Sequence, residues 1–171
     1  MFKFETSEVL KTSEVYRNNT NMTPAVEKLQ FLLDQGEKYF TETNEDFLRK
    51  PYATGKWSRK QILGHLIDSA INNLTRFTEI GYQPQPYIYR EYNQGELVKI
   101  NNYNEMPTDE LLHLWLSLNK QIVRVMGSVT EERLNLKIQF TDGAMSDLRY
   151  IMHDYPEHME HHINQIITPA Q

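Results

Sequence analysis

The sequence predicts an all-α protein that folds as a four-helix bundle with a long connection between its second and third helices. Four long segments carry apolar residues at intervals of three and four, as the buried face of an amphipathic helix does. Capping residues or prolines precede these segments, and a glycine follows two of them. Strand-like alternation is scarce, so we expect the four helices to pack on one another.

The composition is typical of one folded domain. A chain of 171 residues can bury a core of its own, and 39% hydrophobic residues are more than a disordered chain carries. We expect residues 23–168 to form the domain and residues 1–22 to form an N-terminal arm. The arm is polar and weakly patterned, and its acidic residues interrupt any signal peptide, which favours a cytoplasmic protein.

Charge and cysteine content narrow the functional classes. The 18 basic and 23 acidic residues give a net charge of −5, without a dense basic block, so nucleic acid and anionic membranes are poor partners. Cysteine is absent, which removes disulfides, thiolate catalysis and cysteine-bound zinc. Any metal ion must therefore be bound by histidine, aspartate or glutamate.

The first helix begins at a proline signal. Thr23 is predicted to be its N-cap and Pro24 its first helical residue, and the apolar spacing lasts to about Thr41. A polar stretch follows, with a short turn around 45–48.

The second helix has Ser58 as its predicted N-cap, runs to about Ile80 and stops at Gly81. The connection that follows, 81–106, is rich in tyrosine and proline. A loop of this length is expected to cover or line a site, and it leaves room for a short helix.

The third helix is predicted to open at 107–110, with an N-cap and first-turn acids, and to end at Gly127. One turn of helix is expected in 130–136 and an extended connector in 137–140.

The final helix is predicted to begin at a cap on Ser146 or Asp147 and to reach about Ile167. Pro156 lies inside it and predicts a break or kink that would shift His158.

Four of the six histidines lie within ten positions of the final helix. His162 falls on the inward stripe and His158 on its edge, and residues four apart can direct ring nitrogens at one cation. An alternative is that His162 is a core histidine satisfied by a hydrogen bond. The zinc-protease pattern His-Glu-x-x-His fails, because Met159 stands where its glutamate would be.

The second helix carries a polar stripe opposite its apolar face. His65, Ser69, Asn72 and Arg76 follow one another along successive turns. Periodicity alone makes a solvent face the simpler interpretation, and a ligand-bearing surface the alternative.

Two motifs resemble those of the DinB/YfiT-like superfamily. They are Lys56-Trp57-Ser58 with Gly64-His65-Leu66-Ile67-Asp68-Ser69, continuing to Asn73 and Arg76-Phe77, and His158-x-x-His161-His162-x-x-Gln165-Ile166. The resemblance covers roughly 23–168. It implies a four-helix bundle, often dimeric, in which His65, His158 and His162 bind a divalent metal ion and His161 does not.

The resemblance also implies a class of chemistry. Three neutral imidazoles leave coordination positions open, as in catalytic sites. Family members include S-transferases that use bacillithiol or related small thiols, and thiol-dependent isomerases. The leading hypothesis is transfer of a low-molecular-weight thiol to an electrophilic small molecule. A metal-dependent hydrolase and a non-catalytic binding or stress-response module are the alternatives, and a homodimer is expected.

The identity of the metal is left open by an all-imidazole set. We expect Zn or Ni first, and Mn or Fe after them.

Further residues have two interpretations each. Asp68, Glu160 and Glu157 are candidate partners of the ligands or proton acceptors, although exposed helix charge is the simpler interpretation. Asn72 and Arg76 are candidates to bind an anionic substrate, with a surface role as the alternative.

Overall fold

The computed structural model describes residues 22–167, so the predicted arm lies, apart from Met22, outside the described residues. Four long helices form the bundle: α1 (Thr23–Glu42), α3 (Arg59–Glu79), α5 (Thr108–Ser128) and α7 (Leu148–Ile167). The shorter elements are α2 (Glu45–Leu48), α4 (Gln94–Asn101), α6 (Glu131–Leu134) and a 3-10 turn (Tyr103–Glu105). The predicted all-α, four-helix class is confirmed.

The start of α3 follows the sequence signal closely. Ser58 Oγ accepts a hydrogen bond from the Gln61 amide at 3.0 Å, and Gln61 Oε1 accepts one from the Ser58 amide at 2.8 Å. This reciprocal capping box satisfies two backbone donors that the first turn leaves free. The helix ends with Ile80 as its C-cap, next to the predicted stop at Gly81.

The predicted start of the first helix was displaced by one residue. Thr23 is already helical and Met22 is the N-cap of α1, without a side-chain hydrogen bond. α5 begins at Thr108, within the predicted range 107–110, and its N-cap Pro107 likewise forms no side-chain hydrogen bond. In both cases the fixed backbone of a nearby proline, rather than a capping side chain, begins the helix.

The final helix α7 runs without interruption through Pro156, so the predicted break was wrong. Pro156 is buried between Tyr155 and Met159, which are also in the core. The Tyr155 hydroxyl donates to Asn119 Oδ1 at 2.6 Å and so fixes this stretch to α5. Packing offsets the hydrogen bond that proline removes, and His158 and His162 remain one turn apart on a single helix.

A small sheet was not predicted. It consists of β1 (Tyr87–Ile88), β2 (Lys137–Gln139) and β3 (Met145–Asp147), with β1 parallel to β2 and β2 antiparallel to β3. Strands this short show no periodicity. The sheet nevertheless attaches the long connection 81–106 to the chain just before α7, where Asp147 Oδ1 caps the helix by accepting from the Tyr150 amide.

The bundle core lies where α3 and α1 each pack against both α5 and α7. Trp115 is fully buried, and its ring lies so close to Gly36 that a Cβ there would be 2.6 Å from the ring. Among residues 22–167, no helix combines the length and the apolar character that crossing a bilayer requires.

Candidate metal centre

Three histidines meet between α3 and α7. The ring centroid of His65 lies 5.2 Å from that of His158 and 4.6 Å from that of His162, and the latter two are 4.6 Å apart. One ligand nitrogen from each ring lies within 4.8 Å of the others. His65 is fully buried, whereas the other two are partly exposed. The cluster therefore has one closed side and one accessible side.

The separation of one pair of ring nitrogens is compatible with both of them binding the same metal ion. His65 Nε2 and His158 Nε2 are 3.3 Å apart. A hydrogen bond between such nitrogens is usually shorter, whereas two nitrogens on one tetrahedral ion at 2.0–2.1 Å are about 3.3 Å apart. The donor set is thus suited to a divalent metal ion.

The electrostatics keep the three rings neutral. Burial, followed by the neighbouring histidines, lowers the pKa of His65 to about 3. Burial and His158 lower the pKa of His162 to about 4, and burial lowers that of His158. A neutral imidazole offers a lone pair, so at pH 7 all three rings are competent ligands.

The Nδ1 atoms of His162 and His65 have different surroundings. His162 Nδ1 lies 2.9 Å from Gln165 Oε1, and Gln165 Nε2 lies 2.9 Å from His161 Nε2. This contact leaves Nε2 as the nitrogen of His162 that is free for an ion. His65 Nδ1, in contrast, is buried without a hydrogen-bond partner among the residues that the structure describes.

The polar stripe of α3 is not a solvent face, which corrects that interpretation. His65, Ser69 and Arg76 are 0%, 2% and 4% exposed. The long connection covers Arg76, because an Arg76 guanidinium nitrogen donates to the Arg90 carbonyl at 2.6 Å and the guanidinium lies 3.9 Å above the centre of the Tyr89 ring. Periodicity could not show this, since the covering segment is distant in sequence.

The two residues predicted to bind substrate already have partners within the chain. Arg76 also donates to Asn73 Oδ1 at 3.3 Å, and Asn72 Nδ2 donates to the Asp68 carbonyl at 2.8 Å. The surface role considered for Arg76 is wrong, since its side chain is buried. Its contacts hold the connection in place, and a role in substrate binding stays a prediction.

Among the acidic candidates, Asp68 differs from the other two. It is 3% exposed, so its interpretation as exposed helix charge was wrong, and its Oδ1 accepts from the Tyr103 hydroxyl at 2.6 Å and from Asn101 at 3.1 Å. Its Oδ2 is buried without a partner among the described residues, and burial raises the pKa of this carboxyl.

Glu157 is exposed and Glu160 is partly exposed, and both accept from Lys28 Nζ, at 2.7 and 2.8 Å. In the described part of the chain, no carboxylate joins the three-histidine group. Open coordination positions would therefore be left for water or a substrate.

Two aromatic residues near His65, Trp57 and Tyr103, were not assigned a role from the sequence. The Trp57 ring centroid lies 5.4 Å from that of His65, and the Tyr103 ring lies over Gly64, where a Cβ would come within 2.0 Å of it. Trp57 and Gly64 both belong to the motif of the second helix, and this position was the one sequence feature that could have linked them to the histidine cluster. For Tyr103 the sequence gave no such indication beyond its place in the tyrosine-rich connection.

These features define a class: a four-helix bundle whose second and last long helices present three neutral histidines to one point. The chain belongs to the DinB superfamily, whose family model matches residues 29–166. The resemblance seen in the sequence is thereby confirmed.

Relatives and solved structures agree with this assignment. A protein of Halalkalibacterium halodurans is 26% identical over 119 residues, which cover 70% of this chain and 68% of that protein. One of Bacillus cereus is 26% identical over 145 residues, which cover 84% and 82%. Both have names that class them provisionally as metal-dependent hydrolases.

Two solved structures share the fold. YfiT from Bacillus subtilis, described as a probable metal-dependent hydrolase with an unusual four-helix bundle topology, matches with a TM-score of 0.77 at 18% identity, over 88% of this chain and 87% of its own. A mycothiol-dependent maleylpyruvate isomerase matches with a TM-score of 0.67 at 11% identity, over 91% and 64%.

Proposed function

We propose that His65, His158 and His162 bind one divalent metal ion and that the protein is a metal-dependent enzyme acting on a small molecule. The observation that carries the proposal is the convergence of three neutral ring nitrogens within 4.8 Å of one another. Relatives named as metal-dependent hydrolases support it. Zn and Ni are the first metals to test, because imidazole suits both.

The three histidines differ in exposure, and their proposed roles differ accordingly. An ion held by three imidazoles retains open positions and lowers the pKa of a water or thiol that binds there. His65, behind the Trp57 ring, closes the inner side of the site. The partly exposed His158 and His162 leave the outer side for the substrate.

We propose a low-molecular-weight thiol as the activated nucleophile, delivered to an electrophilic substrate. No carboxylate of the described residues joins the cluster, so the chain offers no base among the ligands, and a thiol needs less help than water to lose its proton. The chain has no cysteine, so the thiol would be a cosubstrate. The fold shared with a mycothiol-dependent isomerase supports the same choice.

Hydrolysis is the second candidate, and the names of the relatives favour it. In that case water would take the position proposed for the thiol.

The metal site is tested by metal content. We expect about one Zn or Ni per chain after purification and reconstitution, and its loss in His65→Ala. His153→Ala is the matched control, because His153 lies on α7 outside the cluster. Full occupancy after replacement of all three ligands would refute the site.

The reaction is tested by supplying the two nucleophiles separately. The zinc-loaded and nickel-loaded protein is incubated with bacillithiol, mycothiol or cysteine and an electrophile such as monochlorobimane, and in parallel with nitrophenyl esters without thiol. Conjugation that requires both metal and thiol supports thiol transfer. Ester cleavage without thiol supports the hydrolase, and metal binding without either activity supports a binding module.

A further inference from the structure

The geometry points to Gln165 as a positioning residue, which fixes the proton of His162 on Nδ1 and thereby presents Nε2 as a metal ligand. This inference rests on the proposed metal site and assigns a role to a residue outside the ligand set.

The evidence is a pair of hydrogen bonds that links three side chains. His162 Nδ1 is 2.9 Å from Gln165 Oε1, and Gln165 Nε2 is 2.9 Å from His161 Nε2. Both ends of one amide are thus used by two adjacent histidines. The spacing makes this reachable, because Gln165 lies three and four residues after them on α7.

The chemistry of the amide decides which nitrogen carries the proton. An amide oxygen only accepts hydrogen bonds, so the facing Nδ1 must be the N–H. A neutral imidazole has one such proton, so Nε2 of His162 retains its lone pair. In the opposite tautomer, Nε2 would carry the proton and would have no lone pair with which to bind a metal ion.

His161 has a distinct part in this arrangement. Its Nε2 faces the amide N–H, which holds Gln165 in the orientation with Oε1 toward His162. His161 is exposed and lies outside the three-histidine group. It therefore supports the amide without contacting the ion, and its loss should matter much less than the loss of Gln165.

Four variants separate the contributions of the two hydrogen bonds. Gln165→Leu removes both hydrogen bonds at nearly the same volume, Gln165→Glu keeps the acceptor for His162 and loses the donor for His161, and His161→Ala removes only the outer partner. Circular dichroism confirms folding, and Gln165→Met is a second apolar variant.

The first measurement uses metal-free protein. Long-range proton–nitrogen NMR correlations report which nitrogen of His162 carries the proton. We expect the Nδ1–H tautomer in the wild type and in Gln165→Glu, and a mixture with Nε2–H in Gln165→Leu and Gln165→Met. An unchanged tautomer in both apolar variants would overturn the assignment.

The second measurement is the zinc dissociation constant from competition with a chelator. Loss of a hydrogen bond that orients a ligand costs about 10–100-fold in metal affinity, which we expect for Gln165→Leu. Gln165→Glu should bind within roughly threefold of the wild type, as should His161→Ala. Equal affinity of Gln165→Leu and the wild type would contradict the positioning role.

The two readouts also distinguish this inference from the proposed function. If the wild type shows the Nδ1–H tautomer but binds no zinc, the metal site is refuted and the role of Gln165 in fixing the tautomer is supported. If the wild type binds zinc while His162 carries its proton on Nε2 in the metal-free protein, the positioning role is refuted.

Discussion

Two buried polar side chains near the start of α3 have opposite surroundings. Lys60 and His65 are both 0% exposed. Lys60 Nζ donates to Glu45 Oε1 at 2.5 Å and to the Met106 carbonyl, and Thr108 completes the group by donating to Glu45. His65, in contrast, faces two other neutral imidazoles, and its Nδ1 has no partner in the described part of the chain.

The difference separates a polar group that is paired within the protein from the candidate metal site. A buried polar atom costs stability unless it is paired, and the Lys60 group is paired within the protein. Burial would raise the pKa of Glu45, but hydrogen bonds from Lys60 and Thr108 lower it to about 2, so this carboxyl group stays ionised. The histidine cluster instead offers lone pairs that the described residues leave for a cation.

The largest expected effect is stabilisation by metal. Zinc at about 1,000 times its dissociation constant should raise the free energy of unfolding by about 4 kcal/mol. Urea unfolding with and without zinc measures this. His158→Ala should abolish this increase, while Glu45→Ala should retain it. An equal increase in both variants would show that the histidine cluster is not the site at which zinc stabilises the protein.

The second effect is acid sensitivity of the metal-free protein. The pKa values of His65 and His162, about 3 and about 4, lie below the ordinary value of 6.5. As the pH falls, these histidines are therefore protonated in the unfolded chain before they are protonated in the folded protein. Their contribution to the free energy of unfolding is largest well above pH 6.5 and decreases as the pH falls toward the pKa values of the folded state. One unit below 6.5 the loss is about 1.4 kcal/mol per histidine, or about 3 for the two.

The control for acid sensitivity is a chain with both rings replaced. His65→Leu/His162→Leu should show a shallower loss of stability between pH 6.5 and 5.5, because other titrating groups are common to both proteins. Parallel curves from urea unfolding would contradict the assigned origin.

The third effect tests the Lys60 group. Glu45→Ala leaves the buried Lys60 charge with the Met106 carbonyl and without its carboxylate partner. We expect a loss of about 2 kcal/mol, below the 3–5 kcal/mol of a fully buried pair, since Glu45 is partly exposed. Urea unfolding measures it, with Glu42→Ala, an exposed position, as the control. A loss no greater than that of the control would show that the pair contributes little.

The smallest effect concerns the contact between α3 and the connection. Tyr103→Phe removes the hydroxyl that donates to Asp68 and should destabilise the protein by about 1 kcal/mol, read from the melting temperature. Tyr150→Phe, at a ring that is 55% exposed, is the control and should change nothing. Equal melting temperatures of both variants would show that Asp68 does not need this donor.

The sequence predicted the helices because their signals are local. Ser58 and the apolar spacing of α3 act within a few residues, and both appear as expected. The pair His158 and His162 also followed from helical spacing, whereas the approach of His65 depended on how α3 packs against α7. Only the family resemblance suggested that third partner.

The features that were missed depend on contacts distant in sequence. Pro156 was expected to break α7, but burial of its neighbours stabilises the helix. The polar stripe of α3 looked solvated, because nothing local shows that 89–92 covers Arg76. In the small sheet, the pairing of β1 with β2 joins residues about fifty positions apart, which periodicity cannot detect.

The contact of Tyr103 with Gly64 bears on how the site could be redesigned. The ring occupies the space of a Cβ, so any larger residue at 64 would push away the turn that Tyr103 carries. That turn also holds Asp68, one helical turn beyond His65. Gly64 therefore limits engineering beside the candidate metal site: a side chain at position 64 and the aromatic ring of Tyr103 cannot occupy the same space next to His65.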